Sequence, residues 1–403
     1  MTPTRRGRWR ALPTTIWTLG WVSLLMDVSS ELVHALLPAY LVVGMGASMW
    51  LVGLIEGLAE LTAAVCKLLS GALSDWWGRR KWLAALGYGL AALAKPIFPL
   101  APTAGWILGA RVVDRIGKGI RGAPRDALIA DITPPELRGA AYGLRQALDT
   151  TGAFLGPLLA IALMAWLAND FVSVFWLAAI PAVLAALLVL LAVREPDRPK
   201  SRQPLRWPLR RAALAQLPAA YSTLLLLSAL YSLARFSEAF LILRAQDAGL
   251  PLLWLPLVLV LLNLSYALSA YPLGSLSDRI DRRWLFAGGL VLLLLADLLL
   301  AWAPSLSVLA LAVLIWGLHL GATQGLLARW VADVAPGELR GTAFGLLHLV
   351  NGAALLLASV LAGVAWSQAG PAACFQLGAG LALLCLLCFG LLHRRLDTDP
   401  QAR

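Results

Sequence analysis

The stretch LIADITPPELRGAAYGL, running from Leu128 to Leu144, returns about 202 residues later as WVADVAPGELRGTAFGL, from Trp330 to Leu346. A second block, GALSDWWGRR at Gly71, likewise returns as GSLSDRIDRR at Gly274. Both copies lie within a chain that is otherwise almost continuously apolar. Duplication of a block of hydrophobic spans is a common way to build secondary transporters, whose substrate site then falls between the two halves near the bilayer midplane.

Of the 403 residues, 60% are hydrophobic and only 14% charged, a balance that excludes an ordinary soluble domain. Crossing about 30 Å of hydrocarbon at 1.5 Å per residue takes about 20 residues. Twelve stretches meet that length, beginning near Thr14, Ala47, Trp82, Thr103, Leu137, Val172, Leu217, Pro251, Trp284, Leu306, Leu339 and Pro371. The sequence therefore predicts an all-α integral membrane protein with twelve transmembrane helices in two pseudo-symmetric six-helix bundles. The expected boundaries are a cytoplasmic N-terminus at 1–13, bundles at 14–193 and 216–392, a cytoplasmic linker at 194–215 and a tail at 393–403. The basic start followed by an apolar run resembles a secretion signal. That run is read as the first span because it contains Asp27 and Glu31, is too long, and lacks a small-residue cleavage site.

A formal charge of +11 raises the question of nucleic acid, and the placement of the cations answers it. With the N-terminus inside, the inside-facing segments hold Arg5, Arg6, Arg8 and Arg10, then Arg79, Arg80 and Lys81, then Arg121, Arg125 and Arg138. The linker from Arg194, the segment with Arg279, Arg282 and Arg283, and Arg340, Arg394 and Arg395 fall on the same side. Opposite-side loops such as GMGASM at Gly44, APTAG at Ala101 and SQAG at Ser367 carry no Lys or Arg. This is the positive-inside asymmetry of a bacterial inner-membrane protein with both termini cytoplasmic, and it leaves no call for a nucleic-acid partner. The four cysteines, Cys66, Cys374, Cys385 and Cys388, all lie within spans without accompanying histidines, and read as packing residues. No phosphate loop, metal helix or soluble catalytic domain is present, so no enzyme activity, cofactor or bound metal is expected.

The loop after the second span reads Gly71-Ala-Leu-Ser-Asp75-Trp-Trp-Gly78-Arg79-Arg80-Lys81. Gly274-Ser-Leu-Ser-Asp278-Arg-Ile-Asp281-Arg282-Arg283 takes the corresponding place in the second half, with Asp281 where the first copy has glycine. On these residues the chain resembles the major facilitator superfamily over essentially its full length. Glycine at a span end lets a neighbouring backbone approach, an aspartate accepts from exposed N–H groups at a helix start, and arginines anchor at headgroups. The resemblance implies a gating latch of Gly71, Asp75, Gly78, Arg79, Arg80, Gly274, Asp278 and Arg282. It would hold the cytoplasmic side shut when the outside is open, with Asp75 against the start of span 11 and an arginine of span 4. Span 5 carries Gly143, Gly152, Gly156 and Pro157, spaced as in the motif on this helix of proton-coupled drug exporters, and small residues at such spacing also serve plain helix packing.

Ionisable residues inside spans cost roughly 2.5 to 3.5 kcal/mol each at the bilayer centre. Span 4 holds Arg111, Asp114, Arg115 and Lys118 on one stripe, at a summed cost above about 10 kcal/mol, so that stripe cannot face lipid. Asp27, Glu31 and His34 share a face of span 1, span 5 adds Arg145 and Asp149, and span 7 adds Arg235, Glu238 and Arg244. The resemblance places spans 1, 4 and 7 around a central cavity. A plainer reading makes these groups buried ion pairs, for example Asp114 with Arg145 or Asp27 with Arg111. Glu56, Glu60, Lys67, Lys95 and Asp297 read as structural pairs or snorkelling groups, and His319 could line the cavity.

A carboxylate whose surroundings alternate between desolvation and a nearby arginine can load a proton on one side and release it on the other. Asp27, Glu31, Asp114 and Asp149 are the expected proton-coupling residues. His34, Arg111, Arg115, Lys118, Arg145, Arg235, Glu238 and Arg244 are the expected substrate-cavity residues. In the repeat, Arg145 meets Leu347, Gln146 meets His348 and Asp149 meets Asn351, so coupling is expected in the first six spans. The reading is a secondary active transporter, a monomer whose partners are a small-molecule substrate, protons and the lipid bilayer, working by alternating access as a proton-coupled exporter (antiport). Alternatives are a proton-coupled importer of a small organic anion or metal chelate and, in another class, a non-transporting membrane receptor or assembly factor.

Overall fold

The structure is a computed structural model that describes residues 12–77, 79–195, 215–276, 280–336 and 339–393. Every regular element among the described residues is helical, as expected where no water is present to satisfy a sheet edge. Helix α1 spans Thr14–Ala39, with Pro38 in its last turn, and passes into a π-helical turn over Tyr40–Gly44. Then follow α2 (Met49–Trp77), α3 (Arg80–Ala94, extended past a turn by Ile97–Leu100), α4 (Ala104–Ile132), α5 (Arg138–Trp166) and α6 (Phe171–Ala192). The seventh span is broken into α7a (Ala219–Ala234) and α7b (Ala239–Asp247). After it come α8 (Leu257–Leu276), α9 (Arg282–Ala301) and α10 (Leu306–Val334). Arg340–Leu392 is helical throughout except at Gly370, with φ 84° and ψ 178°, which divides it into α11 (340–369) and α12 (371–392).

Ten segments are long and apolar enough to cross a membrane, Arg340–Leu392 being taken as one of them. Dividing that segment at Gly370 and adding α4, which has the length but more charge, the described residues hold the twelve helices that the sequence predicts. Two local expectations are overturned. The run from Gly119 to Ile132, whose Arg121 and Arg125 the sequence places in an inside-facing segment outside the spans, is the second half of α4. Pro124 is accommodated inside that helix, so Arg121 and Arg125 are helical and largely buried rather than part of a loop. The SQAG loop at Ser367 does not exist as a loop either, since the chain turns in the single residue Gly370.

By internal contacts the chain forms two compact units, one of Met1–Leu37 with Thr62–Trp207 and the other of Pro38–Leu61 with Pro208–Arg403. In the first, Gly87 of α3 and Gly117 of α4 let two backbones touch: a methyl on Gly87 would lie 2.6 Å from the Gly117 carbonyl oxygen. Helix α5 packs on α1 in the same way, where a methyl on Gly152 would meet the Leu24 carbonyl at 2.6 Å and one on Gly156 the Glu31 Cβ at 2.7 Å. Gly143 has open space around it, so only the later part of the span 5 motif is a packing surface.

The second unit is held differently. Tyr221 of α7a donates to the Ala343 carbonyl of α11 at 2.7 Å, and Ser265 of α8 to the Leu314 carbonyl of α10 at 2.6 Å. Between them runs a chain of rings: Tyr231 against Phe286 at 5.9 Å, Phe286 against Phe389 at 5.0 Å and against Trp330 at 5.4 Å. Such tilted and edge-on pairs add to the burial of large apolar area.

Candidate functional site

Helix α4 positions the ionic side chains of the first unit. The stripe of Arg111, Asp114 and Arg115 is buried, whereas Lys118 on the same stripe is exposed. Asp114 pairs with neither Arg145 nor another residue of the span 5 group. Lys95, buried at the turn that follows α3, donates from Nζ to Asp114 Oδ1 at 2.9 Å and to Ser30 Oγ of α1 at 3.2 Å. Arg111 and Arg115 flank the same carboxylate. A buried ion pair stands only when its remaining hydrogen-bonding groups are met, and the Ser30 hydroxyl supplies part of that need.

One turn further along, the stripe continues at Arg121 and Arg125, which the sequence places in an inside-facing segment. Their spacing from Lys118 continues the same helical face, and that was the available signal. The Arg121 guanidinium lies over the Tyr88 ring at 4.9 Å, a desolvated cation–π contact. Arg125 donates to Ser23 Oγ at 3.1 Å and to Tyr88 Oη at 3.5 Å, and pairs with Asp126 at 3.1 Å.

Asp27 of α1 and Asp149 of α5 are neighbouring carboxyls, brought together where α5 packs on α1 at Gly152. Two carboxylates close together in a partly buried setting repel, and a proton held between them removes that repulsion. Around the pair, Arg145 reaches Asp149 at 3.6 Å and Arg125 reaches it at 3.9 Å. The small residues of α5 let α1 come this close: Gly152, one turn from Asp149, lies with its Cα against Leu24 and Asp27. Asp27 does not pair with Arg111. Glu31, one turn on, contacts His34 Nδ1 at 3.4 Å. The structure thus gathers two neighbouring carboxyls, two arginines and a hydroxyl on α1, α4 and α5.

The two loop motifs differ in detail. Gly78 and Asp278 lie outside the described residues, as does the side chain of Asp75. Arg80 opens α3 and pairs with Asp131 of α4 at 2.6 Å, also donating to the Ala127 carbonyl at 2.8 Å. In the second unit Arg282 opens α9 and pairs with Asp333 of α10. Asp131 and Asp333 are equivalent in the long repeat, whereas the motif itself aligns Arg282 with Arg79. The pair is therefore fixed by the first helical residue rather than by motif register. The helix starts are also capped differently. Glu195, just past α6, accepts from the backbone N–H of Arg80 at 2.5 Å and of Lys81 at 3.1 Å. Asp281 caps α9 locally, accepting from the Arg283 N–H at 2.9 Å. This accounts for the aspartate in the second copy where the first has glycine. Gly71 and Gly274 lie near the ends of α2 and α8, where an added methyl would meet nothing closer than 3.6 Å.

In the second unit, Arg235 sits at the break of the seventh span, its guanidinium over the Tyr231 ring at 5.8 Å. Glu238 starts α7b without capping it. Arg244 is held as a fastener: it pairs with Asp247 at 2.9 Å and donates to the Leu300 carbonyl at 2.9 Å and the Ala303 carbonyl at 3.4 Å. His319 is fully buried between Trp316 at 4.7 Å and Tyr231 at 6.3 Å. The Tyr231 hydroxyl bonds Thr323 at 2.7 Å, whose own hydroxyl reaches the His319 carbonyl at 2.8 Å. Among the described residues no cluster of His, Cys, Asp and Glu could hold a metal ion.

The sequence profile of the Major Facilitator Superfamily matches residues 19–265 and 224–403. The chain belongs to that superfamily. An uncharacterized MFS-type transporter of Methanocaldococcus jannaschii is 32% identical over 385 residues, covering 93% of this chain and 94% of that protein. The multidrug resistance protein MdtH of Proteus mirabilis is 30% identical over 217 residues, 51% of each chain. Among solved structures, the nucleoside transporter NupG superposes with a TM-score of 0.81 at 13% identity, covering 94% of this chain and 99% of that one. A POT family transporter gives 0.81 at 14% identity over 96% of this chain and 97% of that one. At such identities the likeness establishes the major facilitator fold, an all-helical integral membrane architecture, and the superfamily is one of transporters.

Proposed function

We propose that this transporter exports a small organic solute in exchange for protons, and that the exchangeable proton is carried by the Asp27–Asp149 pair. The observation that carries the reading is the contact of those two carboxyls beside Arg125 and Arg145. A shared proton can leave when an arginine moves onto the vacated carboxylate, and substrate competing for the same arginine couples solute to proton. Asp114, closed by Lys95, takes a fastening role in this reading, and Glu31 with His34 a supporting one. Arg111, Arg115 and Lys118 would attract an anionic or polar group of the substrate. The partial similarity to the MdtH multidrug resistance protein favours export of an amphipathic molecule over import. The accompanying expectations are a monomer in the cell inner membrane with cytoplasmic termini, halves that alternate access, and a loop latch centred on Arg80 and Arg282.

The test is flux into proteoliposomes under an imposed pH gradient, with a mixed small-molecule library read by mass spectrometry. Gradient-driven flux is expected in the wild type. Asp149→Asn should abolish accumulation against a gradient while sparing downhill exchange. Flux that ignores the gradient would reject proton coupling. Accumulation running with the proton inflow would replace export by import, and binding without flux would favour a receptor.

A further inference from the structure

Asp297 lies in the middle of α9, fully buried, and neither of its carboxyl oxygens has a hydrogen-bond partner. It does not pair and does not snorkel, contrary to the sequence expectation. Its neighbours are apolar. A methyl placed on Gly378 of α12 would stand 2.6 Å from Asp297 Oδ2 and 2.7 Å from Cε1 of Phe236, the residue that follows Arg235 in the break of the seventh span. Phe236 in turn packs edge-on against Phe240 at 5.6 Å and Phe375 at 5.5 Å. Among the described residues no charged side chain faces Asp297; the thiol of Cys374, one turn before Gly378, is the titratable neighbour.

An ionised carboxylate in such a cage has neither cation nor donor to offset its desolvation, whereas the neutral acid is far less penalised. We infer that Asp297 is a proton-binding site of the second unit: its carboxyl carries a proton in this packed arrangement and releases it only when α9, α12 and the break of the seventh span separate. Glycine at 378 lets the acid group fit, and the aromatic wall from Phe236 keeps water from it. His319, also buried in this unit, makes a weaker candidate, because a neutral imidazole can be buried without taking up a proton. The site shares no residue with the Asp27–Asp149 pair and does not rest on the coupling reading.

The test is infrared spectroscopy of the full chain reconstituted in lipid at neutral pH, in water and in deuterium oxide, with and without carbon-13-labelled aspartate. The wild type is expected to show the carbonyl band of a protonated aspartic acid that shifts with the label, and Asp297→Asn to lose one carboxyl's share of it. A band of unchanged intensity in Asp297→Asn, or no aspartic acid band at all, would overturn the inference. If Asp297→Asn does not fold, the double variant Asp27→Asn, Asp149→Asn decides. It removes the other proton-sharing pair and leaves Asp114 paired with Lys95, so a persisting band supports Asp297 and a vanished one refutes it. No step of this readout uses transport, so a failure of the coupling reading leaves it intact.

Discussion

The contact between α1 and α5 has a counterpart between α7a and α11, and the two do the same geometric job with different chemistry. In the first unit Asp149 meets Asp27; at the position equivalent to Asp149 stands Asn351, whose side-chain oxygen accepts from Ser228 at 2.8 Å. A hydroxyl and an amide satisfy each other with the protons they already own, whereas two carboxyls need one from outside. The surroundings diverge in the same direction. Around α4 the first unit places Lys95, Arg121 and Arg125, while the second fills comparable depth with Tyr231, Phe286, Trp316 and Phe389. Duplication thus supplied one scaffold, and substitution separated an ionic half from an aromatic one. The teaching is that a repeat preserves where helices touch far better than what they touch with.

The contrast can be broken by experiment. Its largest consequence is that removing a cation from the ionic half strands a buried charge. Lys95→Met should destabilise the protein by roughly 3 to 5 kcal/mol, read as a lowered midpoint of thermal unfolding in detergent, and Asp114→Leu in the same chain should restore much of the loss. If Lys95→Met proves as mild as Ser228→Ala, the two halves are not held by different forces. Next in size are the close helix approaches of the first unit. Gly156→Leu should cost about 1 to 3 kcal/mol by overpacking against Glu31 and Leu32, while Gly143→Leu, which meets open space, should leave the midpoint unchanged.

The helix-start pairs sharpen the comparison further. Arg80 and Asp131 are only 14% and 9% exposed, against 30% and 45% for Arg282 and Asp333. Arg80→Ala should therefore cost about 1 to 3 kcal/mol, and Arg282→Ala about 0 to 1 kcal/mol. Equal losses in the same unfolding assay would mean that exposure does not set their strength. Ser228→Ala, which removes one neutral hydrogen bond, should cost about 0.5 to 1.5 kcal/mol in the same assay.

Much of the fold was legible because hydrocarbon leaves the chain so few options: run lengths gave the span starts to within a few residues. The errors came where local punctuation was read too literally. Gly119, Gly122 and Pro124 look like a loop, yet a long helix among neighbours absorbs a proline, and the stripe through Arg111, Arg115, Lys118, Arg121 and Arg125 kept helical spacing past it. The site was half visible. Spacing put Asp27, Glu31, Asp114 and Asp149 on inward faces, but partner choice depends on which helices are adjacent, so Lys95 for Asp114 and Asp27 for Asp149 required the structure. Asp297 was misjudged for the converse reason, since sequence shows that a charge lies within a span but not that its surroundings contain nothing to answer it.

Gly370 has a mechanical corollary. Its backbone, at φ 84° and ψ 178°, occupies a region open essentially to glycine alone, and it joins α11 to α12 with no intervening segment. A joint that short has no slack. Tilting one of these helices must drag the other, so the pair behaves as a stiff lever hinged at one atom. A reporter peptide or cleavage site inserted there would have nowhere to bulge, and the turn at Gly370 is a poor place to tag the protein.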